Sequence, residues 1–342
     1  MRSLFSTGKS GQIKIIGAAA PRWDAKLFMK DINLLKQALP YIKQYRDKIF
    51  VIKFGGEIVS DRNRLAALAE EIALLHELNV RMVIIHGGGP QLSETAEKLG
   101  VEAKKVAGRR ITDDHLLEVA KMVFAGSIST DILAALRRFG TPGVGLSGVD
   151  GNLIQADRRP PRTVYDGETG GEREVDFQNV GDIRQVRPDV LRVLFEKRFV
   201  PVVASLGCSD SGEVLNINAD TIAAEIAASL PAEKLFLFSN VSGVLRDVND
   251  PSSQYSYLTV SQTEELIAKN EISGGMIPKL VSATQAVKRG VKRAHIINGL
   301  QDNALLYEVF TVSGAGTMIL DREEEEIYLS RVEAADQQKR GS

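Results

Sequence analysis

Ile49-Phe50-Val51-Ile52-Lys53-Phe54-Gly55-Gly56 decides the fold class. Four apolar residues in a row, with no polar alternation, predict a strand buried on both faces. A lysine and two glycines end the run, and Arg64 to Leu78 follows with the spacing of an amphipathic helix. The same pattern recurs at once. Val80 to Ile85 reads as a second strand, His86-Gly87-Gly88-Gly89-Pro90 as its glycine turn, and Gln91 to Leu99 as its helix. Buried strands alternating with helices predict an α/β fold with an open, mostly parallel sheet sandwiched by helices, in two lobes.

Upstream of this stretch, residues 1–22 carry little periodicity. Leu27, Leu34, Leu35, Ala38 and Ile42 then recur at mostly helical spacing, with Pro40 expected to break or kink the helix. Downstream, the spacing predicts a helix over His115 to Phe139, a strand and turn over Gly143 to Gly151, and an exposed loop or hairpin excursion over Asp157 to Gly171. Phe199 to Ala204 is a buried strand, and Asn216 to Ser229 opens polar and becomes an Ala-rich helix. A second block starts near Pro231. Its strands are Leu235 to Phe238 and Arg293 to Ile297; its helices are Val260 to Lys269, Ala304 to Phe310, and one entered from the turn Ile272 to Lys279. The resulting division is an extension over 1–44, lobes over 45–231 and 232–320, and a polar tail over 321–342.

The 342 residues are 44% hydrophobic, enough for a large core. A net charge of −1 speaks against a nucleic-acid or anionic-membrane partner. The lone cysteine, Cys208, has no internal disulfide partner and reads as a small buried apolar residue. The histidines His76, His86, His115 and His295 stand in no metal-binding spacing. No apolar run approaches the roughly 18–20 residues that span a bilayer, so a cytoplasmic protein is expected.

Gly55-Gly56, Gly87-Gly88-Gly89 and Gly145-Leu146-Ser147-Gly148 each stand at the carboxyl end of a predicted strand. Open α/β sheets bind ligands at that edge, where glycines let backbone N–H groups approach an anion and a helix N-terminus adds partial positive charge. Each alone reads equally as a tight turn; together, with Gly274-Gly275, they point to phosphate. None is closed by Gly-Lys-Ser/Thr and none forms a dinucleotide fingerprint, which weighs against a P-loop enzyme and a nicotinamide enzyme. Lys53 and Lys279 lie beside these glycines and suit phosphoryl transfer, which needs positive charge and donors more than covalent help. Asn216, Asn218 and Asp220 alternate, so an extended stretch would put them on one face. Asp220 there either holds the lysines or Mg²⁺ in register or caps the following helix. Arg109-Arg110 precedes another helix, as a solvated pair or a fork for a carboxylate.

Taken in order, these elements resemble the amino-acid kinase family, and within it most closely the N-acetylglutamate kinases. The stretches that carry the resemblance span roughly residues 34–320. They include Ile52-Lys53-Phe54-Gly55-Gly56, Ile85-His86-Gly87-Gly88-Gly89-Pro90-Gln91, Gly108-Arg109-Arg110-Ile111-Thr112, Asn216-Ile217-Asn218-Ala219-Asp220-Thr221, Gly274-Gly275-Met276-Ile277-Pro278-Lys279 and Gly314-Ala315-Gly316-Thr317-Met318-Ile319. The resemblance implies ATP-dependent phosphorylation of the side-chain carboxylate of N-acetylglutamate, with Mg²⁺, giving an acyl phosphate. It implies that Lys53 and Lys279 flank the moving phosphoryl group and that Asp220 organises them. Gly88, Gly89, Arg110 and Asn216 are then substrate-binding, in a first lobe that holds the acyl amino acid. Gly55, Gly56, Ser239, Asn240, Gly243 and Gly275 are nucleotide-binding.

The resemblance also implies a homodimer or a hexamer built as a trimer of dimers. The segment from Asp24 to Tyr45 is similar to the N-terminal helix of arginine-sensitive members, which implies an inhibitory arginine site at His295, Glu308 and Gly316. Ser129-Thr130, Asn240, Asn298 and Asn303 depart from the family pattern, which usually has Asn-Lys, Asp, Asp and His. Two other readings stay open on this basis: a sister kinase acting on carrier-linked aminoadipate or glutamate, and a catalytically weak amino-acid-sensing subunit. Only about twenty residues follow Leu320, too few for the acetyltransferase domain of bifunctional relatives.

Overall fold

The computed structural model describes residue 36 and residues 38–340, apart from 107, 167–170, 248 and 273. The chain divides into two compact units, Met1–Pro40 and Tyr41–Ser342. Most of the expected N-terminal helix lies outside the described residues; Lys36 and residues 38–45 are helical, Pro40 included, where a break or kink was expected.

Eight strands form the central sheet. They are β1 (Ile49–Phe54), β2 (Arg81–His86), β3 (Gly143–Ser147), β4 (Val200–Ala204), β5 (Lys234–Ser239), β6 (Tyr257–Thr259), β7 (Arg293–Asn298) and β8 (Gly316–Leu320). Their spatial order is β6-β8-β7-β5-β1-β2-β4-β3. All neighbours from β7 to β3 are parallel, β8 runs antiparallel to β7, and β6 pairs parallel with β8. Strands from before Pro231 make one half of the sheet and strands from after it the other, joined where β1 pairs with β5.

The strand period of two divides each strand between two cores. Phe50, Ile52 and Phe54 face one core, which includes Leu65, Leu68 and Ile72 of helix Arg62–Glu77. Ile49 and Val51 face the other, built with Ile222 and Ile226 of helix Ala219–Ser229 and Leu280 and Ala283 of helix Met276–Lys288. Lys53 shares the parity of Val51. Its side chain therefore belongs to the face covered by those two helices.

Several elements were not legible beforehand. A four-stranded sheet of Val214–Asn216, Leu206–Cys208, Ile154–Arg158 and Gly181–Val186 stands beside the main one. It leaves Cys208 half-buried rather than buried. The loop or hairpin excursion expected over Asp157 to Gly171 is a hairpin, as the second of those readings has it, and its returning arm runs past the expected end: Arg162–Asp166 pairs with Gly171–Val175. The predicted helix His115 to Phe139 is interrupted by a π-helical turn, Met122–Ile128. The helical run Asp114–Arg138 does have the length and apolarity of a bilayer span, contrary to expectation, but Leu116, Val119, Phe124, Ile128 and Ile132 belong to the first core. The polar tail is a helix, Arg322–Arg340, anchored by Glu324 on Arg293 at 2.8 Å and by Tyr328 edge-on to Tyr257.

Candidate active site

Lys53, near the end of β1, and Asp220, in the first turn of helix Ala219–Ser229, are 8% and 6% exposed. Lys53 Nζ is 2.7 Å from Asp220 Oδ1. Lys279 arrives from helix Met276–Lys288, and its Nζ lies 3.2 and 3.1 Å from the two oxygens of the same carboxylate. Burial alone would raise the Asp220 carboxyl; the Lys53 and Lys279 ammoniums more than reverse that and hold it below its usual value. Burial, reinforced by the Lys53 ammonium, draws Lys279 down to about 8 although Asp220 pulls the other way.

The extended face expected for Asn216, Asn218 and Asp220 does not form, because the helix starts within that stretch. Asn218 is the cap, accepting the backbone N–H groups of Asp220 and Thr221 at 2.8 and 3.1 Å. Asp220 is thereby free for the lysines.

The glycine turns open on the same edge of the sheet, since Phe54 of β1 pairs in register with His86 of β2. Gly55 leads into helix Gly56–Ser60, and Gly88 into helix Gly89–Lys98. These turns are closely packed. A Cβ on Gly56 would lie 2.1 Å from Gln91 Oε1, and one on Gly88 would lie 2.2 Å from Ile128 Cδ1. Gln91, which sequence reasoning had not singled out, donates to the Gly56 carbonyl at 2.7 Å and to Ser60 at 2.8 Å, tying the two turns together.

Arg110 is half-buried. Its Nη2 donates to the Gly89 carbonyl at 2.5 Å and to Ser93 Oγ at 2.7 Å, so it reaches the glycine turn rather than solvent. Burial lowers its pKa, and no carboxylate among the described residues pairs with it. Asn216 Nδ2 donates to Thr112 Oγ1 at 3.1 Å, which brings it beside the Arg110 segment.

On the other half of the sheet, Ser239 ends β5 and Asn240 follows, exposed. Gly243 has φ +145°, and a Cβ there would meet Thr317 Oγ1 at 2.6 Å. Gly275 is exposed at the N-terminus of the helix that carries Lys279.

His295 and Glu308 meet in a separate pocket at 2.5 Å. Lys234 donates to His295 Nε2 at 3.1 Å, and Glu308 also accepts the N–H groups of Ala315 and, at 3.1 Å, Gly316. Burial and the Lys234 ammonium hold His295 neutral; burial lowers Lys234 to about 8. Gly316 does not line the pocket as expected. It is buried in β8, where a Cβ would strike the Ile296 carbonyl, and Gly314 lines the pocket in its place. Sequence reasoning also missed Tyr45, Lys234, Tyr328 and Arg331 in the lining. Lys234, opening an otherwise apolar strand, was the signal for one of them.

Residues 48–298 match the profile of the Amino acid kinase family. The acetylglutamate kinase of Methanobrevibacter smithii is 42% identical over 291 residues, 85% of this chain and 99% of that protein. That of Myxococcus xanthus is 44% identical over 288 residues, 84% and 94% of the two chains. Among solved structures, the N-acetylglutamate synthase of Neisseria gonorrhoeae bound to coenzyme A and N-acetyl-glutamate superposes with a TM-score of 0.71 at 28% identity. The match covers 85% of this chain and 63% of the synthase. Carbamate kinase from Giardia shares the fold, with a TM-score of 0.59 at 17% identity over 80% of this chain and 99% of that one. On the family profile and these relatives together, the chain belongs to the amino acid kinase family.

Proposed function

We propose that this protein transfers the γ-phosphoryl group of MgATP to the side-chain carboxylate of N-acetyl-L-glutamate, giving an acyl phosphate and ADP, a step of arginine biosynthesis. The substrate reading is supported by the acetylglutamate kinases that are 42–44% identical to it. The observation that carries the chemistry is the buried Asp220 carboxylate held between two lysines at the carboxyl edge of the sheet.

The nucleophile is already an anion at neutral pH, so no general base is required. A carboxylate oxygen forms the bond to γ-phosphorus as the bond to the β–γ bridging oxygen breaks, and that electron pair leaves on ADP. The obstacle is repulsion between two anionic reactants. Lys53 and Lys279 offset it from opposite sides, and Asp220 sets their spacing while cancelling part of their mutual repulsion. The N–H groups of Gly56, Gly88 and Gly89 supply further donors. Arg110 grips the α-carboxylate, with Asn216 beside it. Gly55, Ser239, Asn240, Gly243 and Gly275 line the nucleotide side. The described residues contain no cluster of three metal-ligating side chains. Mg²⁺ carried by the ATP phosphates would offset part of their charge.

We further propose assembly into at least a homodimer and feedback inhibition by arginine at the Glu308 pocket. In support, a second structure of the Neisseria synthase, 27% identical over 85% of this chain, holds L-arginine. A hydroxylamine trap of acyl phosphate tests the whole reading. Hydroxamate is expected with N-acetylglutamate well above glutamate, aspartate or aminoadipate, and arginine should suppress it in the wild type but not in Glu308→Ala. Preference for another acid would sink the substrate, and indifference to arginine the regulation.

A further inference from the structure

His86 ends β2 immediately before Gly87-Gly88-Gly89 and is 0% exposed. Alternation along β2 puts its ring on the side of Met82 and Ile84, the core beneath helix Arg62–Glu77. Lys53 and Asp220 belong to the opposite face. The imidazole therefore cannot reach the reacting atoms, yet it makes one specific contact: Nδ1 lies 3.1 Å from the Gly87 carbonyl oxygen.

That contact favours one tautomer. With the proton on Nδ1, the ring donates to Gly87 and leaves a bare lone pair on Nε2, which has no partner among the described residues. With the proton on Nε2, a buried N–H would go unsatisfied and a lone pair would face the carbonyl. The second arrangement is worse at both nitrogens. Burial also pushes the ring down to about 4, so it stays neutral through physiological pH.

The rest of the turn is held too. The His86 carbonyl accepts Ser205 Oγ at 2.5 Å and the Gly87 N–H donates to Phe54 at 3.2 Å. The Gly88 carbonyl accepts the Leu92 N–H at 2.8 Å, and Phe124 and Ile128, from the π-helical turn, crowd the Gly88 Cα. What remains is the Gly87–Gly88 peptide plane, which two glycines leave free to rotate. A trans peptide points its C=O and N–H in opposite directions. A carbonyl drawn toward the His86 face therefore turns the Gly88 N–H toward the face of Lys53 and Asp220. No acceptor among the described residues takes the Gly88 or Gly89 N–H.

We infer that His86 is a positioning residue: by holding the Gly87 carbonyl through Nδ1–H, it aims the Gly88 N–H at the anionic groups of the reactants. The inference rests on the kinase reading of the site.

The test compares His86→Leu, His86→Asn and His86→Gln, with thermal unfolding to establish folding, beside ¹⁵N-histidine NMR of the wild-type enzyme. Leu should lower kcat about 10- to 100-fold, part of the loss of a transition-state donor, with KM changed little. Asn places its amide N–H₂ where Nδ1 stands and should recover most of the loss; Gln places it where Nε2 stands and should not. The NMR should find the proton on Nδ1. Wild-type kcat in the Leu variant, equal loss in Asn and Gln, or an Nε2-protonated ring would each overturn the inference. Should all three variants fail to fold, the wild-type tautomer alone decides. A wild type inactive on N-acetylglutamate would instead overturn the functional reading and leave the tautomer result standing.

Discussion

Lys279 has to be an ammonium to stabilise a moving phosphoryl group, and burial with the Lys53 charge has brought its pKa to about 8. The proton is lost as pH rises through that value. For the free enzyme, which kcat/KM reports, activity is expected to be level below about pH 7 and to fall above about pH 8. Lys279→Arg should remove that alkaline limb, because a guanidinium does not titrate there. A limb at the same pH in the Arg variant would assign it to another group. Substitution separates the roles of the other residues. Lys53→Ala is expected to lower kcat by roughly 10²–10³, the scale for one transition-state donor. Arg110→Ala should chiefly raise the KM for N-acetylglutamate, since a carboxylate clamp binds ground and transition states alike. An unchanged KM would move the substrate away from Arg110.

Helix Ala304–Phe310 supplies Glu308 to the second pocket but carries no cap of its own. Asn303 precedes it in a left-handed conformation, φ 57°, with no side-chain hydrogen bond. Glu71, on helix Arg62–Glu77 and 6% exposed, accepts the Leu306 N–H at 3.0 Å instead, so one half of the sheet caps a helix of the other. Burial raises this carboxyl to about 7, against the pull of the Leu306 and Leu305 N–H groups. Between the unfolded value near 4.5 and about 7, the folded state keeps a proton that the unfolded state has lost. This group's contribution to stability is therefore full at low pH and declines as pH rises through that window. Glu71→Gln keeps an oxygen acceptor and cannot ionise. Its melting temperature relative to wild type should rise between about pH 5 and about pH 7.5. A constant difference across that range would mean that Glu71 does not titrate there.

One sheet crosses both halves of the chain, and β1 pairs with β5 at the join from Phe50 opposite Lys234 to Lys53 opposite Leu237, in the middle of the core. Each face is covered by helices from more than one part of the sequence, so neither half can unfold and leave the other's core closed. Calorimetry is expected to show a single transition for residues 41–342. A saturating ligand should shift that transition as a whole, by about 2.7 kcal/mol at a hundredfold excess over its dissociation constant. Two separated transitions, only one of them moved by ATP, would show that the halves unfold independently.

The buried strands, the helices between them and the glycine turns were legible because they depend on local pattern: apolar runs, helical period, and residues without a Cβ. Helix Ala304–Phe310 and strand Leu235 to Phe238 were read within a residue or so of their observed bounds. Lys53, Asp220 and Lys279 could be singled out in the sequence, each with an equally plausible solvated or capping role. What resolved those alternatives was tertiary. The parity of β1 sends Lys53 to the face where two later helices bring Asp220 and Lys279, and Asn218 takes over the cap. The second small sheet and the docking of helix Arg322–Arg340 left no local signature, since they join short or polar segments, and the closing of Lys234 onto the His295–Glu308 pair depends on the pairing of two strands about sixty residues apart in the chain. Periodicity records which face of an element is buried. Which charges end up within 3 Å of one another depends on how the sheet orders its strands, and that is a property of the folded chain.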